Sequence, residues 1–152
     1  MAEEQQANRT IYVEIVTPYG MFFEGPVDMA VITSKDGEIG IMAGHTPMIA
    51  ALTSGEIRLK SDGGWRGLAA TNGYAEIGPE LIIIVVNAAE WPEQIDLARA
   101  KAALERAEKR YHDPRTSAQE RNHARHGIER AKARIKIQQK YAASSPHAAD
   151  GI

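Results

Sequence analysis

Four arginines and one aspartate in the last third of this chain have the spacing to hold a polyanion. Arg99 and Arg106 lie seven residues apart, which on a helix puts both on one face, roughly 10 Å apart. Arg130 and Arg134 lie one turn apart on what reads as a second helix. Counted outward from Pro114, Arg99 and Arg130 are expected at similar heights of an antiparallel pair. Guanidinium groups on adjoining faces repel one another until an anion or an acidic surface neutralises them. A triphosphate would do so through charge-assisted bonds, leaving Asp96 to accept from a base or ribose. A solvated basic face with internal pairs such as Glu105–Lys109 accounts for the same residues, and the spacing fits both readings.

A second segment of interest runs from Lys35 to Pro47, KDGEIGIMAGHTP. Its glycines, histidine and proline break up an apolar run too short to be a helix. Asp36-Gly37 is a hairpin-turn signal, and Gly40 and Gly44 mark places where the backbone takes φ > 0 or another chain comes close. His45 is a lone histidine with no cysteine and no second histidine at ligand spacing, so it reads as a turn or interface residue. His112, His123, His126 and His147 read as surface residues. The sequence shows no nucleophile–base set, no paired acids and no phosphate-cradling glycine loop. No catalytic residue, no metal site and no required cofactor are therefore expected.

The elements that must position these residues divide sharply. Residues 1–94 carry 5 Lys and Arg against 13 Asp and Glu, a net of −8, while residues 95–141 carry 13 against 6, a net of +7. The glycines and both tryptophans concentrate in the first part, and Ala, Arg, Lys and Glu dominate the second. Two structural units with different partners are expected. With 43% hydrophobic residues the chain has material for a modest core, and with no cysteine it has neither disulfides nor zinc–thiolate sites. No apolar run approaches the roughly 20 residues of a membrane span. The longest, Leu81 to Val86, has the length of a buried strand. The polar, acidic N-terminus does not read as a signal peptide.

Residues 10–88 are expected to form an antiparallel β-sandwich or barrel. Strands are read at 12–16, 29–33, 56–60, 65–71, 73–77 and 81–86, with Pro18-Tyr19-Gly20, Gly25-Pro26 and Gly78-Pro79 as punctuation. Residues 1–9 read as a flexible N-terminus and 89–94 as a linker. Residues 95–141 read as an antiparallel two-helix hairpin. Asp96 caps its first helix, which carries Leu97, Ala100, Leu104, Ala107 and Tyr111 at helical spacing. His112-Asp113-Pro114 ends that helix, and Ser117 to Glu120 is a capping box opening the second, with Ala124, Ile128, Ala131 and Ile135 along it. An alanine seam buries little apolar area, so the two helices hold each other weakly and are expected to exchange between folded-back and extended arrangements; a stable appendage packed on the β-domain is the alternative. Residues 142–152 read as a flexible tail. The whole is an α+β chain.

The order of parts resembles the epsilon subunits of bacterial F-type ATP synthases across residues 10–141. The resemblance rests on Gly37-Glu38-Ile39-Gly40-Ile41, Gly44-His45-Thr46-Pro47, Leu52 with Gly55, Asn72 to Ile77, Leu81 to Val86, and Ile95-Asp96-Leu97-Ala98-Arg99-Ala100. Ala43 departs from the proline common there. The resemblance implies a non-catalytic subunit of the rotary central stalk of a proton-translocating synthase. Such a subunit binds gamma and the c ring, with Glu38, Gly44 and His45 at that interface, and restrains ATP hydrolysis. Its hairpin, when extended, meets the catalytic head. The subunit is then peripheral, on the cytoplasmic face of the bacterial membrane, without inserting into it. In some epsilon subunits Ile-Asp-x-x-Arg-Ala belongs to an ATP site; here it falls on Ile95, Asp96, Arg99 and Ala100, and the rest of that pattern on Glu90, Arg106, Arg130 and Arg134. Regulatory ATP is the ligand this implies. A basic-hairpin nucleic-acid module is the alternative; against it, the hairpin offers only Tyr111 and Tyr141 as aromatics.

Overall fold

The computed structural model describes residues 9–142. The N-terminus and tail expected to be flexible therefore lie, apart from Arg9 and Ala142, outside the described residues. The chain divides into two compact units, one running to Ala89 and the other beginning at Glu90.

The first unit holds strands β1 (Ile11–Thr17), β2 (Gly20–Val27), β3 (Met29–Ser34), β4 (Gly37–Ile41), β5 (Met48–Leu52), β6 (Gly55–Ser61), β7 (Gly64–Ala70), β8 (Gly73–Ile77) and β9 (Leu81–Val86). Their order in the ladder is β7-β6-β3-β5-β8-β9-β1-β2, with β4 on β3. β2, at one end, packs on β6, near the other, so the ladder closes over itself as a sandwich. Alternation supplies the core. Ile11, Val13 and Ile15 of β1, Ile57 and Leu59 of β6, Ile77 of β8, and Ile82, Ile84 and Val86 of β9 are all buried. Each such side chain contributes about 1.5–3 kcal/mol relative to exposure.

Two expectations need correction. The ladder is antiparallel except where β1 runs parallel to β9, pairing Tyr12 with Leu81 through Val16 with Val85. Gly25-Pro26 does not interrupt structure: β2 runs through it, with Pro26 opposite Tyr12. β2 is the last strand of the ladder, and an edge strand has one side on which a missing N–H costs no ladder bond. Gly73 is required by close approach, since a Cβ there would overlap the carbonyl oxygen of Val85 on β9.

The stretch 89–94, read as a linker, holds a two-residue strand β10 (Ala89–Glu90) and a 3₁₀ turn, Pro92–Gln94. Proline at the first turn position and the Gln94 side chain, which accepts from the Trp91 N–H at 2.9 Å, order it. Beyond it lie α1 (Leu97–His112) and α2 (Ala118–Ala142), packed on each other. Ala100, Ala124, Ala131 and Ile137 are buried. Ile137 belongs to the seam in addition to the expected stripe, whereas Ile135 is only half-buried. Among the described residues no helix is long and apolar enough to cross a membrane.

Candidate functional site

The hairpin is built from its caps inward. The Asp96 carboxylate accepts from the Arg99 N–H at 3.0 Å, satisfying one of the donors that a helix start leaves open. At the turn, Asp113 accepts from the Arg115 N–H at 2.9 Å and from its guanidinium at 3.2 and 3.1 Å. The Arg115 side chain first, and its N–H second, hold the Asp113 carboxyl below the usual aspartate range. Ser117 and Glu120 then exchange reciprocal bonds at 3.2 Å to open α2.

Gly127 sets the register of the two helices. A Cβ at Gly127 would stand 3.5 Å from the Cβ of Ala107, so these residues face each other across the seam. Counted from that pair, Arg134 stands within about one residue's rise of Arg99, and Arg130 within about two of Arg106. The expected level pairing of Arg99 with Arg130 is thus displaced by about five residues, nearly one and a half helical turns. The reason is that the seam, and not the midpoint of the connecting loop, fixes which residues meet.

Of the eight residues assigned to a nucleotide site, the fold joins Glu90 and Arg134 directly. The guanidinium donates from Nε at 2.8 Å and from Nη2 at 3.2 Å to the two carboxylate oxygens, with the side chains 26% and 31% exposed. The planar fork matches the carboxylate, and reduced solvation strengthens the pair. Ile95 and Ala100 are buried; Arg99 and Arg106 are exposed, and Arg130 is half-buried. Among the described residues the guanidinium groups of Arg99, Arg106 and Arg130 have no hydrogen-bond or ion-pair partner. Of the four assigned arginines, three thus have no carboxylate partner among the described residues, and the fourth is held by Glu90.

In the first unit, the Gly37–Pro47 region is a hairpin end followed by a loop. Glu38 accepts from Arg58 of β6 at 3.1 Å, and Arg58 and Lys60 both stand over the ring of Trp65, at 5.7 and 5.8 Å. Gly44 sits at φ +86° and its N–H donates to the Pro79 carbonyl at 2.7 Å. That conformation suits glycine and ties the loop to the β8–β9 turn. His45 places Nδ1 2.8 Å from the Thr46 carbonyl, a local contact. Among the described residues no three His, Asp or Glu side chains gather as a metal site.

Comparison with known proteins follows these two units closely. The family model described as "ATP synthase, Delta/Epsilon chain, beta-sandwich domain" matches residues 10–92, and "ATP synthase, Delta/Epsilon chain, long alpha-helix domain" matches residues 93–139. The chain belongs to the ATP synthase delta/epsilon family. The ATP synthase epsilon chain of Caldanaerobacter subterraneus is 38% identical over 135 residues, 88% of this chain and 97% of that one. The epsilon chain of Caldicellulosiruptor saccharolyticus is 45% identical over 98 residues, 64% of this chain and 72% of that one. The fold is also that of a chain in the mitochondrial ATP synthase of Euglena gracilis, with TM-score 0.74 at 20% identity, covering 89% of this chain and 82% of that one. A chain of the Tetrahymena thermophila central stalk and c-ring structure gives TM-score 0.59 at 14% identity, covering 84% and 96%.

One feature of this family member lies outside the candidate site residues named from sequence. The outward faces of β5, β8, β9, β1 and β2 carry Ile49, Tyr74, Leu81, Tyr12 and Met21, all exposed. The signal was present in Leu81 to Val86. Six successive apolar residues suit a strand buried on both sides, yet here Leu81 is exposed and Ile83 and Val85 are half-buried.

Proposed function

We propose that this chain is the non-catalytic epsilon-type subunit of the central stalk of a proton-translocating F-type ATP synthase, peripheral to the bacterial membrane on its cytoplasmic side. The β-sandwich docks on the gamma subunit and the c ring, with Glu38, Gly44 and His45 among the interface residues. The hairpin restrains ATP hydrolysis when it extends toward the catalytic head, and ATP returns it to the folded-back arrangement. Membership in the family supports the stalk assignment. The observation that carries the regulatory part is the set of guanidinium groups on the hairpin that lack carboxylates.

In this mechanism the folded-back hairpin brings Arg99 and Arg134 to one level and Arg106 and Arg130 to the next. A triphosphate spanning both levels accepts from them and removes their mutual repulsion, which supplies the differential free energy that a population shift requires. Glu90 holds Arg134 in place until phosphate oxygens share its donors. Asp96 keeps α1 capped with one oxygen and has the other for a base or ribose. Ile95 and Ala100 supply the packed floor beneath.

Thermal denaturation of the full chain with and without ATP tests this. ATP raises the midpoint, and Arg99→Ala or Arg106→Ala removes most of that rise. A rise of equal size with sodium sulfate, or one that survives both substitutions, overturns the site.

A further inference from the structure

We propose that Glu90 is a built-in competitor for the phosphate groups of the hairpin's nucleotide: it fills the fork of Arg134 in the free chain, and ATP gains that fork only by displacing it. This rests on the nucleotide site proposed above and assigns that site its ligand-free state and its threshold. The two acidic residues of the site are engaged differently. Asp96 accepts from the backbone N–H of Arg99 through one oxygen, at 3.0 Å. Both oxygens of Glu90 accept from the Arg134 guanidinium, one from Nε at 2.8 Å and the other from Nη2 at 3.2 Å. A carboxylate and a phosphate present a similar pair of oxygens to the planar fork of an arginine. Glu90 therefore stands where a phosphate group would stand on Arg134.

The contact is built into the fold. The residues after Glu90 are fixed by their own bonds: the Trp91 N–H donates to the Gln94 side chain at 2.9 Å and the Ile95 N–H to the Pro92 carbonyl at 3.2 Å, and Ile95 is buried. The turn Pro92–Gln94 packs on α2, the helix that carries Arg134. Both side chains of the pair are half-buried, so salt screens them less than a surface pair. A triphosphate drawn in by Arg99, Arg106 and Arg130 then meets a carboxylate of its own sign on the fourth arginine. Two anions on one guanidinium repel each other. The fraction of chains in which Arg134 is released from Glu90 scales the apparent affinity. Glu90 thus stabilises the free hairpin and raises the ATP concentration at which it responds.

The test is calorimetric titration of the full chain with ATP, and with sodium tripolyphosphate as a probe of the phosphate contacts alone. Glu90→Gln keeps the shape and removes the charge. It tightens both ligands roughly three- to tenfold, the range expected when a partly solvated ion pair no longer has to be broken. The same variant lowers the thermal midpoint of the ligand-free chain. A residue that merely orients Arg134 would lose on both readouts, so the opposite signs identify the competitor. Glu90→Asp retains the charge but shortens the reach by one methylene, and gives a smaller gain in the same direction. Glu108→Gln, an exposed carboxylate elsewhere on α1, changes ATP affinity less than about twofold. Circular dichroism checks each variant's fold. ATP binding that is weakened or unchanged by both Glu90 variants, or tightened equally by Glu108→Gln, overturns the competitor and leaves the nucleotide site standing. Absence of ATP binding in both the wild-type and the Glu90→Gln chain overturns the nucleotide site itself.

Discussion

Arg134 and Glu90 are the pair on which the base of the hairpin turns. Arg134→Ala leaves the Glu90 carboxylate, only 31% exposed, without its donor. The expected cost is about 1–2 kcal/mol, since each neighbour is partly solvated and the full penalty of a buried charge does not apply; urea denaturation of the full chain measures it. Asp96 separates two roles in one residue. Asp96→Ala destabilises α1 by about 1 kcal/mol through loss of the cap, whereas Asp96→Asn keeps the acceptor and costs less. An Asp96→Asn chain of near wild-type stability that no longer responds to ATP assigns the charge to the ligand. Asp113 gives the pH dependence. Its folded pKa is depressed, so its contribution is present above the unfolded aspartate value and is lost as pH falls through the folded one. Arg115→Ala returns the Asp113 carboxyl toward the ordinary aspartate range, as carboxyl NMR titration would read.

The helical hairpin is held by small residues, and its stability is correspondingly open to adjustment. Gly127 is a poor helix residue in the middle of α2, and a Cβ there meets Ala107 at an ordinary contact distance of 3.5 Å. Gly127→Ala therefore stabilises the folded-back hairpin by about 1 kcal/mol through helix propensity. A lower thermal midpoint in that variant would mean that the seam is tighter than the facing methyl groups allow. The opposite holds in the sheet. Gly73→Ala drives a methyl group into the Val85 carbonyl, and backbone cannot yield as a side chain does. A loss of about 3 kcal/mol or more is expected, seen as unfolding of the β-sandwich by circular dichroism.

On the scale of the whole molecule, the division at Ala89 and Glu90 separates a β-sandwich with its own aliphatic core from a basic hairpin with an alanine core. Large buried Ile and Leu side chains make the first unit self-sufficient; residues 1–89 alone are expected to give a β-rich circular dichroism spectrum with a cooperative transition. Under the proposed function, removing residues 95–152 from the assembled synthase is expected to raise ATP hydrolysis with assembly intact. Unchanged hydrolysis over a range of ATP concentrations would make the hairpin structural only.

Local chemistry settled much of this in advance. Asp96, Pro114 and the Ser117–Glu120 box marked the helix ends because capping acts within one turn of chain, and alternation in residues 56–60 marked β6. The resemblance grouped Ile95, Asp96, Arg99, Ala100, Arg106, Arg130 and Arg134 of the hairpin with Glu90 just before it. Tertiary structure decided what depends on partners distant in sequence. Pro26 was tolerated because β2 fell at an edge, and Arg134 met Glu90 across 44 residues. The seam at Gly127 and Ala107, not the loop, set the heights of the arginines. The apolar outer face needed five strands in register before Ile49, Tyr74, Leu81, Tyr12 and Met21 became neighbours. A strand's own sequence says which residues share a side, but only pairing says which side is left to water.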